Sequence, residues 1–124
     1  MKKVVFLFVL LIQFAVAYSQ SDMTFEKTSH DFGQVKVGSD TLWVDFKFTN
    51  KSSEAVIISD VKTSCDCTLA EWPKGAIAPG KSAVIRGGYK TAGKPVGAFN
   101  KNIIIQANTM PATTILTMKG EIVP

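Results

Sequence analysis

Leu42, Val44, Phe46 and Phe48 alternate without a break with Trp43, Asp45, Lys47 and Thr49. A period of two gathers the four apolar side chains on one face of an extended strand, whereas the 3.6-residue period of a helix would spread them around its circumference. The segment can bury its apolar atoms only as one half-covered strand of a sheet, and a sheet needs partners. The rest of the chain supplies them. Ser82 to Tyr89 places Ala83, Ile85, Gly87 and Tyr89 on a common face, and Ala55 to Val61 is apolar and β-branched. Asn102 to Ala107 carries Ile103, Ile104 and Ile105, and Thr113 to Ile122 carries Ile115, Leu116 and Met118. Turn-forming residues separate these runs at Asn50 to Ser53, at Pro79-Gly80, and at Asn108-Thr109 before Pro111. With Thr24 to Thr28 and a short piece around Val35, the expectation is about seven strands with turn signals at roughly 8–12-residue spacing and no helix, the pattern of an all-β sandwich. Phe32-Gly33 and Gly38 predict a strand end and a turn, with Phe32 plugging the core. Gly87-Gly88 inside a strand predicts a bulge or a close approach.

Ahead of this domain, Lys2 and Lys3 precede an apolar run from Val4 to Ile12 that resumes after Gln13 as Phe14 to Ala17. A basic start, a short apolar stretch and small residues at Ala15 and Ala17 are the parts of a cleavable export signal. Residues 1–17 are the expected signal peptide, cut before Tyr18, with a second acceptable cut after Gln20. Spanning a bilayer takes roughly 20 apolar residues, and this run is shorter and ends in Ser19, Gln20, Ser21 and Asp22. No stable membrane insertion is expected after cleavage. The first cysteine is Cys65, too far along to carry a lipid at a mature N-terminus. Residues 18–124 are expected to be one periplasmic or secreted domain, long enough for a single core and too short for two.

Removing Lys2 and Lys3 from the 14 basic residues leaves 12 against 10 acidic ones, a net charge of +2. The basic residues from Lys47 to Lys101 are spread among acids, which argues against nucleic acid or an anionic membrane as a partner. Hydrolytic catalysis lacks its parts: His30 is the single histidine, and neither G-x-S-x-G nor H-E-x-x-H occurs. No catalytic residue and no cofactor is expected.

Several landmarks then follow one another in a distinctive order: His30-Asp31-Phe32-Gly33 with Gly38 after it, Phe46-Lys47-Phe48-Thr49-Asn50, Ser64-Cys65-Asp66-Cys67-Thr68, Ile77-Ala78-Pro79-Gly80-Lys81-Ser82, Gly97-Ala98-Phe99-Asn100-Lys101 and Lys119-Gly120-Glu121-Ile122. In these the chain resembles, over nearly its whole mature length, a secreted bacterial family, the domain of unknown function 1573. That family is similar to the immunoglobulin-like sandwiches of pilus chaperones, major sperm protein and hydin. The resemblance implies an immunoglobulin-like β-sandwich and a non-catalytic binding or scaffolding module of the cell envelope with a protein partner. The family usually reads Cys-Gly-Cys-Thr where this chain has Asp66. Glycine reaches positive φ freely and aspartate only at a cost, which puts in question any role that needs an unusual backbone there.

Cys65 and Cys67 are the one constellation able to carry chemistry, and three fates are open to them. In an extended strand, residues two apart lie about 6.6 Å apart at Cα, near the upper limit for a disulfide and too far at Cβ. A bridge therefore needs a local turn, and its small ring makes it easily reduced and a poor staple. Zinc wants four ligands and finds two. Cu(I) accepts two thiolates, with Met110 or Met118 as possible helpers, so a small thiol-redox or Cu(I)-binding protein is the alternative function. The third fate is a pair of structural or incidental thiols.

Three further expectations are testable in the fold. Trp43, on the polar face of its strand, Trp72, before Pro73 in a loop, and Tyr89 offer surfaces on which a glycan can stack. Asp40-Thr41-Leu42 resembles the Asp-Thr-aliphatic acceptor of bacterial O-glycosylation, which makes Thr41 the modified residue. The last strand, Thr113 to Ile122, is a candidate open edge for pairing with a partner strand, blunted by Lys119, Glu121 and Pro124.

Overall fold

The computed structural model describes residues 21–124, so the expected signal peptide and both of its cleavage positions lie outside the described residues. Among the described residues there are eight strands and no helix: β1 (Met23–Phe25), β2 (Ser29–Lys36), β3 (Leu42–Asn50), β4 (Ile58–Thr63), β5 (Thr68–Glu71), β6 (Ser82–Tyr89), β7 (Gly97–Ala107) and β8 (Thr113–Val123). They form two four-stranded sheets, ordered β1-β3-β6-β5 and β2-β8-β7-β4. The inward side chains of both sheets meet in one layer, where Phe46, Phe48, Ile85, Ile103, Ile105, Leu116 and Met118 are fully buried. Each such side chain contributes roughly 1.5–3 kcal/mol relative to leaving it in water. The alternation of β3 appears directly as buried Val44, Phe46 and Phe48 against exposed Trp43, Asp45 and Lys47.

The eighth strand is β5, which the sequence reading did not contain. Its four residues, Thr68 to Glu71, are too few to show a period, and Trp72-Pro73 ends them at once. Thr24 to Thr28 proves to be two things. β1 ends at Phe25, and the chain crosses from one sheet to the other before β2 begins at Ser29. The Ala55 to Val61 run forms its strand only from Ile58, while Val56 makes a single bridge to Ile77.

Gly87-Gly88 causes no bulge, because β3 and β6 pair in unbroken register from Leu42 opposite Tyr89 to Thr49 opposite Ser82. The glycines are there for space. A Cβ on Gly87 would sit 2.9 Å from Ile103 Cδ1 and from Met118 Sδ, and one on Gly88 would sit 2.7 Å from the Trp43 ring. The bulge lies instead at Phe32-Gly33, in the middle of β2 and not at a strand end. Asp31 pairs with Lys119 and Gln34 with Glu121, so two residues oppose Gly120 alone. Gly33 takes φ 69° there, and Asp31 Oδ1 accepts its N–H at 2.8 Å.

Asn50 ties down the opposite end. Its fully buried side chain donates through Nδ2 to the Glu54 and Ile77 carbonyls at 2.7 and 2.8 Å, and Oδ1 accepts the Ser52 N–H at 2.9 Å. Its backbone exchanges bonds with Gly80 and Lys81. The Phe46-to-Asn50 and Ile77-to-Ser82 landmarks are thus two halves of one knot.

The last strand is an edge only at its start. β8 lies between β7, antiparallel, and β2, parallel from Ser29 opposite Thr117 to Lys36 opposite Val123. The Thr117 N–H already donates to the Thr28 carbonyl at 2.8 Å, so the open edge expected along Thr113 to Ile122 is taken for most of its length.

Candidate functional site

Two places gather the features that the sequence singles out. At one end of the sandwich, Cys67, Tyr89, Phe99 and Ile122 form a small buried cluster, with Phe32, Leu42 and Cys65 packed against it. Tyr89 stacks on Phe99 with centroids 4.2 Å apart and planes 17° from parallel. Phe99 also lies on Gly120, where a Cβ would come within 2.7 Å of the ring. Four of the landmark motifs, those around Phe32, Cys65-Asp66-Cys67, Phe99 and Gly120, therefore meet here as packing. Burial raises the Tyr89 phenol above its ordinary value of 10.0.

Cys65 and Cys67 are joined as a disulfide with Cα atoms 5.2 Å apart, inside the turn that links edge strand β4 of one sheet to edge strand β5 of the other. The required turn is present: the Thr68 N–H closes it on the Cys65 carbonyl at 3.1 Å. Asp66 is exposed, and no non-glycine residue among those described has positive φ. Asp for Gly thus entails no left-handed backbone. Closing a three-residue loop stabilises the fold by only about 1.6 kcal/mol through chain entropy, against about 3 for a 15-residue loop. The Cu(I) alternative needs two free thiolates, and here each sulfur holds the other. Met118 is in the main core beside Gly87, and Met110 is exposed in the turn after β7, where its N–H meets Asp22.

The glycan-stacking expectation finds its rings occupied. Trp43 lies across Gly88 with the Arg86 guanidinium 4.3 Å from its ring centroid. Trp72 packs on the main core with Lys74 Nζ 3.1 Å from its centroid. Tyr89 is buried. Thr41 is half-buried just ahead of β3. His30 sits edge-on to Phe32, and Lys27 Nζ lies 2.9 Å from its Nδ1. Partial burial and the Lys27 charge hold its pKa below 6.5, with Asp31 opposing.

The second place is the first four residues of β8, the part of the expected Thr113-to-Ile122 edge that stays open. β2 joins β8 only from Thr117 onward, because the chain ahead of Ser29 crosses to the other sheet as β1. Backbone groups alternate sides along an antiparallel strand. Thr117 faces β2, and Ala112 faces β7 through the Ala107 N–H bond to its carbonyl at 2.9 Å. By that parity, the N–H and C=O of Thr113 and Ile115 point away from β7 into a groove of about 710 Å³ lined by Met23, Phe25, Thr28, Pro111 and Ile115 among others. The same parity, fixed by the Glu26 N–H bond to the Lys47 carbonyl, turns the Met23 and Phe25 backbone groups away from β3. At this corner both sheets end in edges that no strand covers, although the Met23 carbonyl already accepts the Ser21 hydroxyl at 2.9 Å. Ile115, at 53% exposure, stands beside them.

Solved structures share the architecture. A protein of unknown function from Porphyromonas gingivalis W83 is 18% identical, with a TM-score of 0.65 over 88% of this chain and 51% of its own. The secreted serine protease VesC of Vibrio cholerae matches at 14% identity and TM-score 0.61 over 86% of this chain and 25% of its own. The CupB2 chaperone of Pseudomonas aeruginosa matches at 13% identity and TM-score 0.54 over 77% of this chain and 53% of its own. At these identities the likeness is one of fold, and the chain spans about half, or a quarter, of these proteins. No curated protein sequence matches it. Residues 23–122, which hold all the landmark motifs, match the family described as protein of unknown function (DUF1573), and the chain belongs to that family.

Proposed function

We propose that this chain is a non-catalytic, exported binding module of the bacterial cell envelope that holds an extended segment of a protein partner. The observation that carries it is the open half of β8. Thr113 and Ile115 present two N–H and two C=O groups to an apolar groove, and unpaired backbone groups beside apolar surface are met best by another strand. An extended peptide repeats its backbone groups every second residue, which matches the spacing from Thr113 to Ile115. Two supports stand beside this. The apolar Val4-to-Ala17 segment has the make-up of an export signal, and chaperones such as CupB2 have the same fold. The described residues hold no cluster of three or more His, Cys, Asp or Glu side chains suited to a metal, and the sequence has no recognisable catalytic set.

The test is photo-cross-linking from a reactive side chain at position 115 in envelope extracts, with the captured peptides mapped by mass spectrometry. The expected captures are segments of alternating polarity, and they are lost when Thr113→Pro removes one outward donor at the start of the strand, where proline is tolerated. Captures that persist unchanged in a folded Thr113→Pro variant, or none at all, contradict the reading.

A further inference from the structure

We propose that the Cys65–Cys67 disulfide is an exchange site that a dithiol reductant opens and closes in the folded protein, entering at Cys65. Three observations carry this. The sulfurs are unequally placed, since Cys67 is buried at 8% exposure under Tyr89 and Phe99 while Cys65 is only partly covered. Thr68 Oγ1 lies 3.5 Å from Cys65 Sγ, and because a bridged sulfur carries no hydrogen, the hydroxyl is the donor. That donor stabilises a thiolate on Cys65 once the bridge opens. The turn is also held without the bridge. The Thr68 N–H bonds the Cys65 carbonyl, the Lys90 N–H bonds the Cys67 carbonyl at 2.7 Å, and Ser64 and Asn102 bond each other across the β4 end at 3.2 and 3.1 Å. A bridge across three residues adds little to that frame, so opening it leaves the sandwich standing.

The exchange balances as follows. A thiolate of the reductant attacks Cys65 Sγ and forms a mixed disulfide, while the Cys65–Cys67 bond breaks and its electron pair leaves on Cys67, which takes a proton. The second thiolate of the reductant attacks its own bridged sulfur, closes the reductant's disulfide and expels Cys65 as a thiolate, which is then protonated. The reductant gives up two electrons and two protons, and the two cysteines receive them. This goes beyond the binding reading and does not depend on it.

The experiment uses dithiothreitol as the dithiol on the intact mature protein. Both thiols are expected to become alkylatable by mass spectrometry while circular dichroism and the cooperative melt stay those of a folded protein. A brief, limiting alkylation of the reduced wild type is expected to label Cys65 at least about tenfold faster than Cys67, and Thr68→Val is expected to slow that labelling at fixed pH. In Cys67→Ser, oxidised glutathione is expected to form a mixed disulfide at Cys65, and the matching reaction in Cys65→Ser is expected to lag. Reduction only under conditions that unfold the chain overturns the proposal. Equal labelling of the two cysteines in the folded wild type overturns it too, whether or not the serine variants fold.

Discussion

Asn50→Ala is expected to be among the most damaging single truncations outside the apolar core. The side chain is fully buried and uses both of its amide hydrogens and its oxygen. Removing it takes one of two donors from the buried Ile77 carbonyl, which keeps the Val56 N–H at 2.9 Å, at a cost of about 0.5–1.5 kcal/mol, and loses the Glu54 and Ser52 bonds near the surface, at about 0.5–1 kcal/mol together once water replaces them. The sum is roughly 1–2.5 kcal/mol, which in a domain of this size lowers Tm by about 5–15 °C. Asn50→Asp is the sharper test. It keeps an acceptor for Ser52 but turns an oxygen toward two carbonyl oxygens, so it should be at least as harmful as alanine at neutral pH. Urea titrations of both variants with unchanged m-values read the effect. An alanine variant within 0.5 kcal/mol of wild type, the usual span of a surface change, or a well-tolerated aspartate, refutes the knot.

The two strand glycines should separate by how far their neighbours can move. Gly87→Ala meets Ile103 and Met118 in the closed core and should cost about 2–3 kcal/mol, while Gly88→Ala meets Trp43, which at 37% exposure can swing outward, and should cost less; a reversed order in urea titrations contradicts this. Replacing both cysteines by serine should lower stability by no more than about 2 kcal/mol, and a chain that no longer folds would show the bridge to be a staple. His30 binds its proton less readily in the folded chain than in the unfolded one, so its contribution to stability is complete above about pH 6.5 and is lost as pH falls through its lowered folded value. An NMR titration midpoint below 6.5 that rises in Lys27→Met is expected, and one at or above 6.5 in wild type contradicts the Lys27 contact.

What could be read ahead of the structure was whatever repeats along one strand. The period of two in Leu42 to Thr49 identified β3 and its buried face, and turn residues located most of the connections. β5 was hidden because four residues carry no period. The crossover between β1 and β2 was hidden because Thr24 to Thr28 looks locally like any strand, and only pairing decides which sheet it joins. For the candidate groove the strand was legible, since Thr113 to Ile122 was the expected edge, but which part of it stays open depends on where β2 starts opposite β8. The Cys65–Cys67 geometry was legible as a condition, a turn or no bridge. The turn itself depends on the Thr68 and Lys90 amides, brought together by tertiary structure.

Residue-resolved amide hydrogen exchange measures the open half-edge of β8 most directly. In the free protein Thr114, Leu116 and Thr117 are expected to be protected, the first two by β7 and the third by Thr28, while Thr113 and Ile115 exchange almost as fast as an unfolded chain. With a segment captured at position 115 added as a synthetic peptide, protection is expected to appear at Thr113 and Ile115. Protection of those two amides already in the free protein, or its absence in the complex, would contradict strand addition at this edge.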